Sequence, residues 1–167
     1  MDGKEVRYFL TSGNGHGEPR ALALDAAVRP VAHWLYQVVK NEGRCMSHNE
    51  EGRLTTHVLD TSLGRPAAGL AVTLFVVDAD GRRTSLVATE TNADGRCDSP
   101  LLAGAAFVPG QYEIVFAAGP YLAATMPAGG AAPFFDDIAV RFSATEARHY
   151  HVPLLLSPYG YSTYRGS

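Results

Sequence analysis

His149-Tyr150-His151-Val152-Pro153-Leu154-Leu155-Leu156 is the stretch from which the fold can be read. In an extended strand successive side chains point to opposite faces. Tyr150, Val152, Leu154 and Leu156 then form an unbroken apolar face, which predicts a core, while His149, His151, Pro153 and Leu155 share the outer face. Apolar residues there would stand in water unless another subunit covered them, so the pattern predicts an oligomer interface. Leu54–Thr61 repeats the alternation: Thr55, His57 and Leu59 oppose Leu54, Thr56 and Val58, and one imidazole interrupts an otherwise ordinary strand.

Between these two stretches the chain reads as short strands divided by turn residues. Ser62–Gly69 is a turn-forming run, and Leu70–Val77 is a strand ended by Asp78-Ala79-Asp80-Gly81, a hairpin signal because Asp and Gly tolerate positive φ. Another strand covers Arg82–Thr91, and Asn92-Ala93-Asp94-Gly95 turns the chain again. Both turns lack the further ligands of a calcium loop. Tyr112, Ile114 and Phe116 alternate with Glu113 and Val115, and Ile138, Val140 and Phe142 with Asp137, Ala139 and Arg141. Ala117–Thr125 is free of β-branched residues until its end and predicts one short helix, followed by a loop over Met126–Pro133. With Gly160–Arg165 as the last strand, seven or eight short strands and no long helix predict an all-β, two-sheet sandwich.

The 167 residues suffice for one domain and an appendage. Hydrophobic residues make up 46% and charged residues 19%, the balance of a globular chain. The net charge of -3, with basic residues scattered, argues against a nucleic-acid partner. No apolar run approaches the roughly 20 residues of a membrane span, and the start MDGKEVRYFL is too polar for a signal peptide core. A cytoplasmic, membrane-free location is therefore expected. Cys45 and Cys97 lie in unrelated contexts, which predicts free thiols.

Residues 1–53 read differently and are expected to form an N-terminal extension to a domain over 54–167. Thr11–Arg20 is loop-like, Ala21–Lys40 has loose helical spacing interrupted by Pro30, and His16, His33 and His48 are too dispersed to suggest a metal site. A docking extension, a linker and a misassigned start codon all account for this segment.

Leu54-Thr55-Thr56-His57-Val58-Leu59-Asp60, together with the terminal run from His149 to Tyr164-Arg165-Gly166-Ser167, resembles the 5-hydroxyisourate hydrolases, or transthyretin-related proteins. Gly64-Arg65-Pro66-Ala67 and Asp94-Gly95-Arg96 match the same family, so the resemblance covers Leu54 to Ser167 with its motifs in order. It implies a transthyretin-like β-sandwich in a homotetramer, a dimer of dimers, with active sites where the dimers meet. It also implies hydrolytic opening of 5-hydroxyisourate, a urate-breakdown intermediate, to 2-oxo-4-hydroxy-4-carboxy-5-ureidoimidazoline, with no cofactor and no metal. The family's catalytic residues fall on His57, Arg96 and His151, and Tyr164, Arg165, Gly166 and Ser167 would bind substrate.

The residue types suit that chemistry. A neutral imidazole accepts a proton near neutral pH, so one of His57 and His151 would activate water while the other positions water or substrate. Arg96 offers a planar, permanently charged fork for urate-like oxygens and for a developing oxyanion. His149 would tune the site or pair with an interface acid. A zinc reading of three neighbouring histidines is disfavoured because Arg96 would set a positive charge beside the metal. Taken singly, Arg96 would be a solvated turn residue, Tyr164 an interface aromatic and Ser167 a frayed end. Two other classes share this architecture, a hormone carrier such as transthyretin and a non-catalytic sandwich module. The histidine–arginine–histidine set and the Tyr-Arg-Gly-Ser ending separate the hydrolase from both.

Overall fold

In the computed structural model the described residues are 52–127 and 132–166. The expectations placed on residues 1–51, including the helical reading of Ala21–Lys40, His16, His33, His48 and Cys45, lie outside them, as does Ser167.

Among the described residues eleven strands and one α-helix follow in order: β1 Arg53–Thr55, β2 Val58–Asp60, β3 Arg65–Pro66, β4 Ala71–Val77, β5 Arg83–Glu90, β6 Leu102–Ala103, β7 Gly110–Ala117, α1 Ala118–Thr125, β8 Asp137–Ala144, β9 His149–His151, β10 Leu154–Ser157 and β11 Gly160–Thr163. One layer is the antiparallel sheet β5-β4-β7-β8. The other consists of two short sheets, β6-β1-β9 and β11-β10-β2-β3, joined because β1 runs on into β2 and β9 into β10. The core between the layers takes Leu54, Val58, Leu154 and Leu156 from one side and Val72, Leu74, Tyr112, Ile114 and Phe116 from the other, all fully buried. Helix α1 matches the expected short helix, and its Tyr121 hydroxyl donates to the buried Asp60 Oδ2 at 3.1 Å, fixing the helix to the end of β2.

The sequence differs from the structure in strand continuity. Leu54–Thr61 and His149–Leu156 each read as a single strand, but both break, at Thr56–His57 and at Val152–Pro153. Pro153 has no N–H with which to continue a ladder, so the pairing jumps. Val152 N–H donates to Thr55 C=O (3.0 Å), Thr56 Oγ1 donates to Val152 C=O (2.8 Å), and Leu154 N–H donates to His57 C=O (2.8 Å). The alternation keeps its phase across the break, with Tyr150, Val152, Leu154 and Leu156 all buried, but Pro153 is buried too and not on an open outer face, and Leu155 is half-buried. Strands β3 and β6 have only two residues each, too short to carry a period. Among the described residues no helix is long and apolar enough to cross a membrane.

Candidate active site

The first arm of the site is a turn. Asn92 Oδ1 accepts from Asp94 N–H (3.0 Å) and Arg96 N–H (3.2 Å), while Asn92 N–H donates to Arg96 C=O (2.7 Å), closing Asn92–Arg96 on itself. Gly95 takes φ +69°, the left-handed region that favours glycine. A Cβ on it would stand 2.3 Å from Val58 O and 3.2 Å from His57 Cδ2. The turn can therefore lie flat on β2 only because this residue has no side chain. Val58 N–H donates to Gly95 C=O at 2.8 Å, and His57 and Arg96 face each other as an antiparallel bridge.

The second arm is β9 and the chain end. Parallel pairing with β1 sets His149 opposite Arg53 and His151 opposite Thr55. Thr55 Oγ1 lies 2.9 Å from His151 Nδ1 and 3.1 Å from His149 Nε2. On the other side of His151, Gly166 N–H donates to its carbonyl at 2.8 Å, and a Cβ on Gly166 would come within 2.8 Å of His151 Cδ2. The chain end thus packs directly against the imidazole.

Electrostatics tie the two arms together. Burial lowers the His57 pKa below its ordinary 6.5, the Arg96 charge lowers it further, and the Asp94 carbonyl opposes both. The His151 pKa is lowered by burial first, then by Arg96, His149 and His57, against the Thr55 backbone carbonyl. One guanidinium therefore acts on both imidazoles and favours their neutral, proton-accepting form. Within the protomer His57 Nε2 is closed off from solvent and has no hydrogen-bond partner.

Of the three residues assigned catalysis on sequence, His57 and Arg96 form one bridge, and His151 pairs with Thr55, two residues before His57, while Gly166 bridges His151. Tyr164 is 57% exposed, and Ser162 is exposed as well. The Arg165 guanidinium lies 4.9 Å from the centroid of the Tyr150 ring and not beside the imidazoles. Sequence reading missed Thr55 as a member of the site. Its place on the same strand face as His57 was visible, but its position opposite His151 depends on a parallel register. A groove of about 230 Å³, lined by Val140, Phe142, Tyr150, Val152, Thr163 and Arg165 among others, lies elsewhere, and none of the three groups lines it. Cys97 is a free thiol whose pKa is raised by burial and by Asp98, as befits an inert packing residue. Among the described residues no group of three or more His, Cys, Asp or Glu side chains is placed to hold a metal ion.

Residues 54–166 match the model of the HIUase/Transthyretin family. A 5-hydroxyisourate hydrolase of Mesorhizobium japonicum is 58% identical over 121 residues, covering 72% of this chain and 97% of the relative. Among solved structures, the 5-hydroxyisourate hydrolase of Klebsiella pneumoniae superposes with a TM-score of 0.57 at 32% identity, covering 73% of this chain and all of the other. Transthyretin of Sparus aurata superposes with a TM-score of 0.61 at 31% identity, covering 68% of this chain and 96% of the other.

Proposed function

We propose that this chain, which belongs to the HIUase/Transthyretin family, hydrolyses 5-hydroxyisourate to 2-oxo-4-hydroxy-4-carboxy-5-ureidoimidazoline in urate catabolism, as a cyclic amide hydrolase. The observation that carries the reading is geometric: Arg96 bridges His57, and His151 pairs with Thr55 two residues before it, so that one guanidinium lowers both imidazoles from separate segments of the chain. The name 5-hydroxyisourate hydrolase on relatives such as that of Mesorhizobium japonicum supports the choice of substrate.

In the proposed reaction His57 and His151 act as a pair in which one accepts a proton from water and the other orients water or substrate. The water oxygen bonds to the ring carbonyl carbon, the carbon–nitrogen bond breaks, and the leaving nitrogen takes a proton. Arg96 balances the charge that develops on the attacked oxygen and on the acidic ring. Among the terminal residues assigned to substrate, Gly166 stands against His151, while Tyr164, Arg165 and Ser167 are assigned contacts that only the assembled oligomer would complete. The protomer leaves the imidazole pair outside its groove. A homotetramer with sites where two dimers meet would supply the missing walls.

The test is to mix the purified protein with freshly generated 5-hydroxyisourate and follow its ultraviolet decay, beside His57→Ala, Arg96→Ala and His151→Ala. Accelerated decay by wild type is expected. Loss of Arg96 should cost about a hundredfold in rate, the usual effect of removing one oxyanion donor. No acceleration by folded wild type would overturn the function, and undiminished decay in all three folded variants would remove these residues from the mechanism.

A further inference from the structure

We propose that Thr55 is the positioning residue of this site: its hydroxyl, shared between His149 and His151, keeps the proton of His151 on Nδ1 and leaves Nε2 free to accept one from water. The inference rests on the hydrolase reading and decides which imidazole is the base.

A threonine hydroxyl has one proton to donate and two lone pairs with which to accept. Thr55 Oγ1 has three neighbours, His151 Nδ1 at 2.9 Å, His149 Nε2 at 3.1 Å and the Tyr150 carbonyl at 3.5 Å. If it donates to the carbonyl or to His149, His151 Nδ1 must carry a hydrogen and donate to it. Only donation to His151 Nδ1 itself gives the opposite tautomer. With the hydrogen on Nδ1, the Nε2 lone pair remains for water. His57 suits this task less well, because its Nε2 is sealed from solvent in the protomer. The charged and titratable groups facing His151 are Arg96, His149 and His57, so the neutral tautomer is the one that counts near neutral pH. Thr55 acts through His151 and need not touch substrate.

The test compares wild type with Thr55→Val, which keeps the β-branched shape without the hydroxyl, and Thr55→Ser, which keeps the hydroxyl. Nitrogen-15 NMR of the His151 ring reports the tautomer with no substrate present, and kcat, KM and the pH profile on 5-hydroxyisourate report its consequence. In wild type and Thr55→Ser, His151 should carry its hydrogen on Nδ1. In Thr55→Val that preference should collapse and kcat should fall by roughly ten- to a hundredfold, within the range of general-base effects, with KM nearly unchanged and the acid limb of the pH profile displaced. Thr55→Ser should recover most of kcat. A Thr55→Val protein with the wild-type tautomer and kcat overturns the proposal, and so does an equal loss in both variants, which would mark a packing role. If wild type does not turn over 5-hydroxyisourate, the hydrolase reading falls, and the NMR comparison still decides whether Thr55 sets the tautomer.

Discussion

Replacing Gly95 by alanine tests whether the Asn92–Arg96 turn really fixes the geometry between His57 and Arg96. Two costs combine at this position. A non-glycine residue at φ +69° pays about 1–2 kcal/mol for the left-handed conformation. The new methyl also falls 2.3 Å from Val58 O and 3.0 Å from Pro66 Cβ, and the oxygen belongs to strand backbone that cannot rotate away. Forcing atoms into such a packed place typically costs a further ~1–3 kcal/mol. Gly81 provides the control: it sits at φ +80° with nothing within 4 Å of a Cβ, so alanine there pays only the conformational cost. At equal protomer concentration, Gly81→Ala should lower the thermal midpoint by about 4–8 °C and Gly95→Ala by about 10–15 °C. Turnover should stay normal in the first variant and fall at least about tenfold in the second at temperatures where both are folded, because the turn must lift off β2 and carry Arg96 with it. Equal midpoints for the two variants would refute the reasoning, since they would mean that the turn gives way without cost and that the 2.3 Å approach constrains nothing.

Arg96→Gln removes the charge that lowers both His57 and His151, so both pKa values should rise toward 6.5 and the acid limb of kcat/KM should move to higher pH, measurable by stopped-flow decay across a pH series. The sign also holds for folding. With native pKa values below 6.5, wild type loses stability as pH falls through 6.5 toward those values, and the variant should lose less over that window. Tyr121→Phe deletes the hydroxyl that donates to buried Asp60, and an unfolding titration in urea should show a loss of about 1–2 kcal/mol. The Tyr121 pKa, pushed up to about 12 by burial first and then by Asp60, keeps that donor in place through the alkaline range. Glu113→Gln should cost about 1 kcal/mol at neutral pH, because both partner arginines are half-exposed and screened. Hydrogen bonding to Arg83, opposed by burial and aided by Arg141, lowers the Glu113 pKa, so the difference from wild type is present above 4.5 and vanishes as pH falls through the depressed value.

The sequence was legible wherever a local rule acts alone. Period-two alternation separates half-buried Thr55, His57 and Leu59 from buried Leu54, Thr56 and Val58, as read. Asp78–Gly81 and Asn92–Gly95 turn where their residues require, and α1 begins at Ala118, one residue from the expected start. Glu113 shows where such a rule stops. Alternation correctly sets it on the outer face of β7, yet it is 4% exposed, because Arg141 from neighbouring β8 and Arg83 from β5, on the far side of β4, close over it at 2.8 and 2.6 Å. A period tells on which side a residue lies and not what covers it. The break at Val152–Pro153 could be suspected from Pro153, but not the matching break at Thr56–His57, which follows from pairing with a strand far along the chain. The gathering of Thr55 with His149 and His151 leaves no local trace, because it links residues 94 and 96 apart. For His57, Arg96 and His151 the assignment rests on the motifs and not on spacing.

The parallel pairing of the domain's opening strand with its closing ones has a consequence for biosynthesis. A ribosome must release 96 or 97 further residues before Thr55 or His57 can meet its partner. Long-range contacts of this kind form late and slowly. A nascent chain stalled before His149 would have the β4–β5 hairpin and the β7–β8 pair but no partner for Thr55, so the two arms of the site come together only after His149 and His151 have emerged.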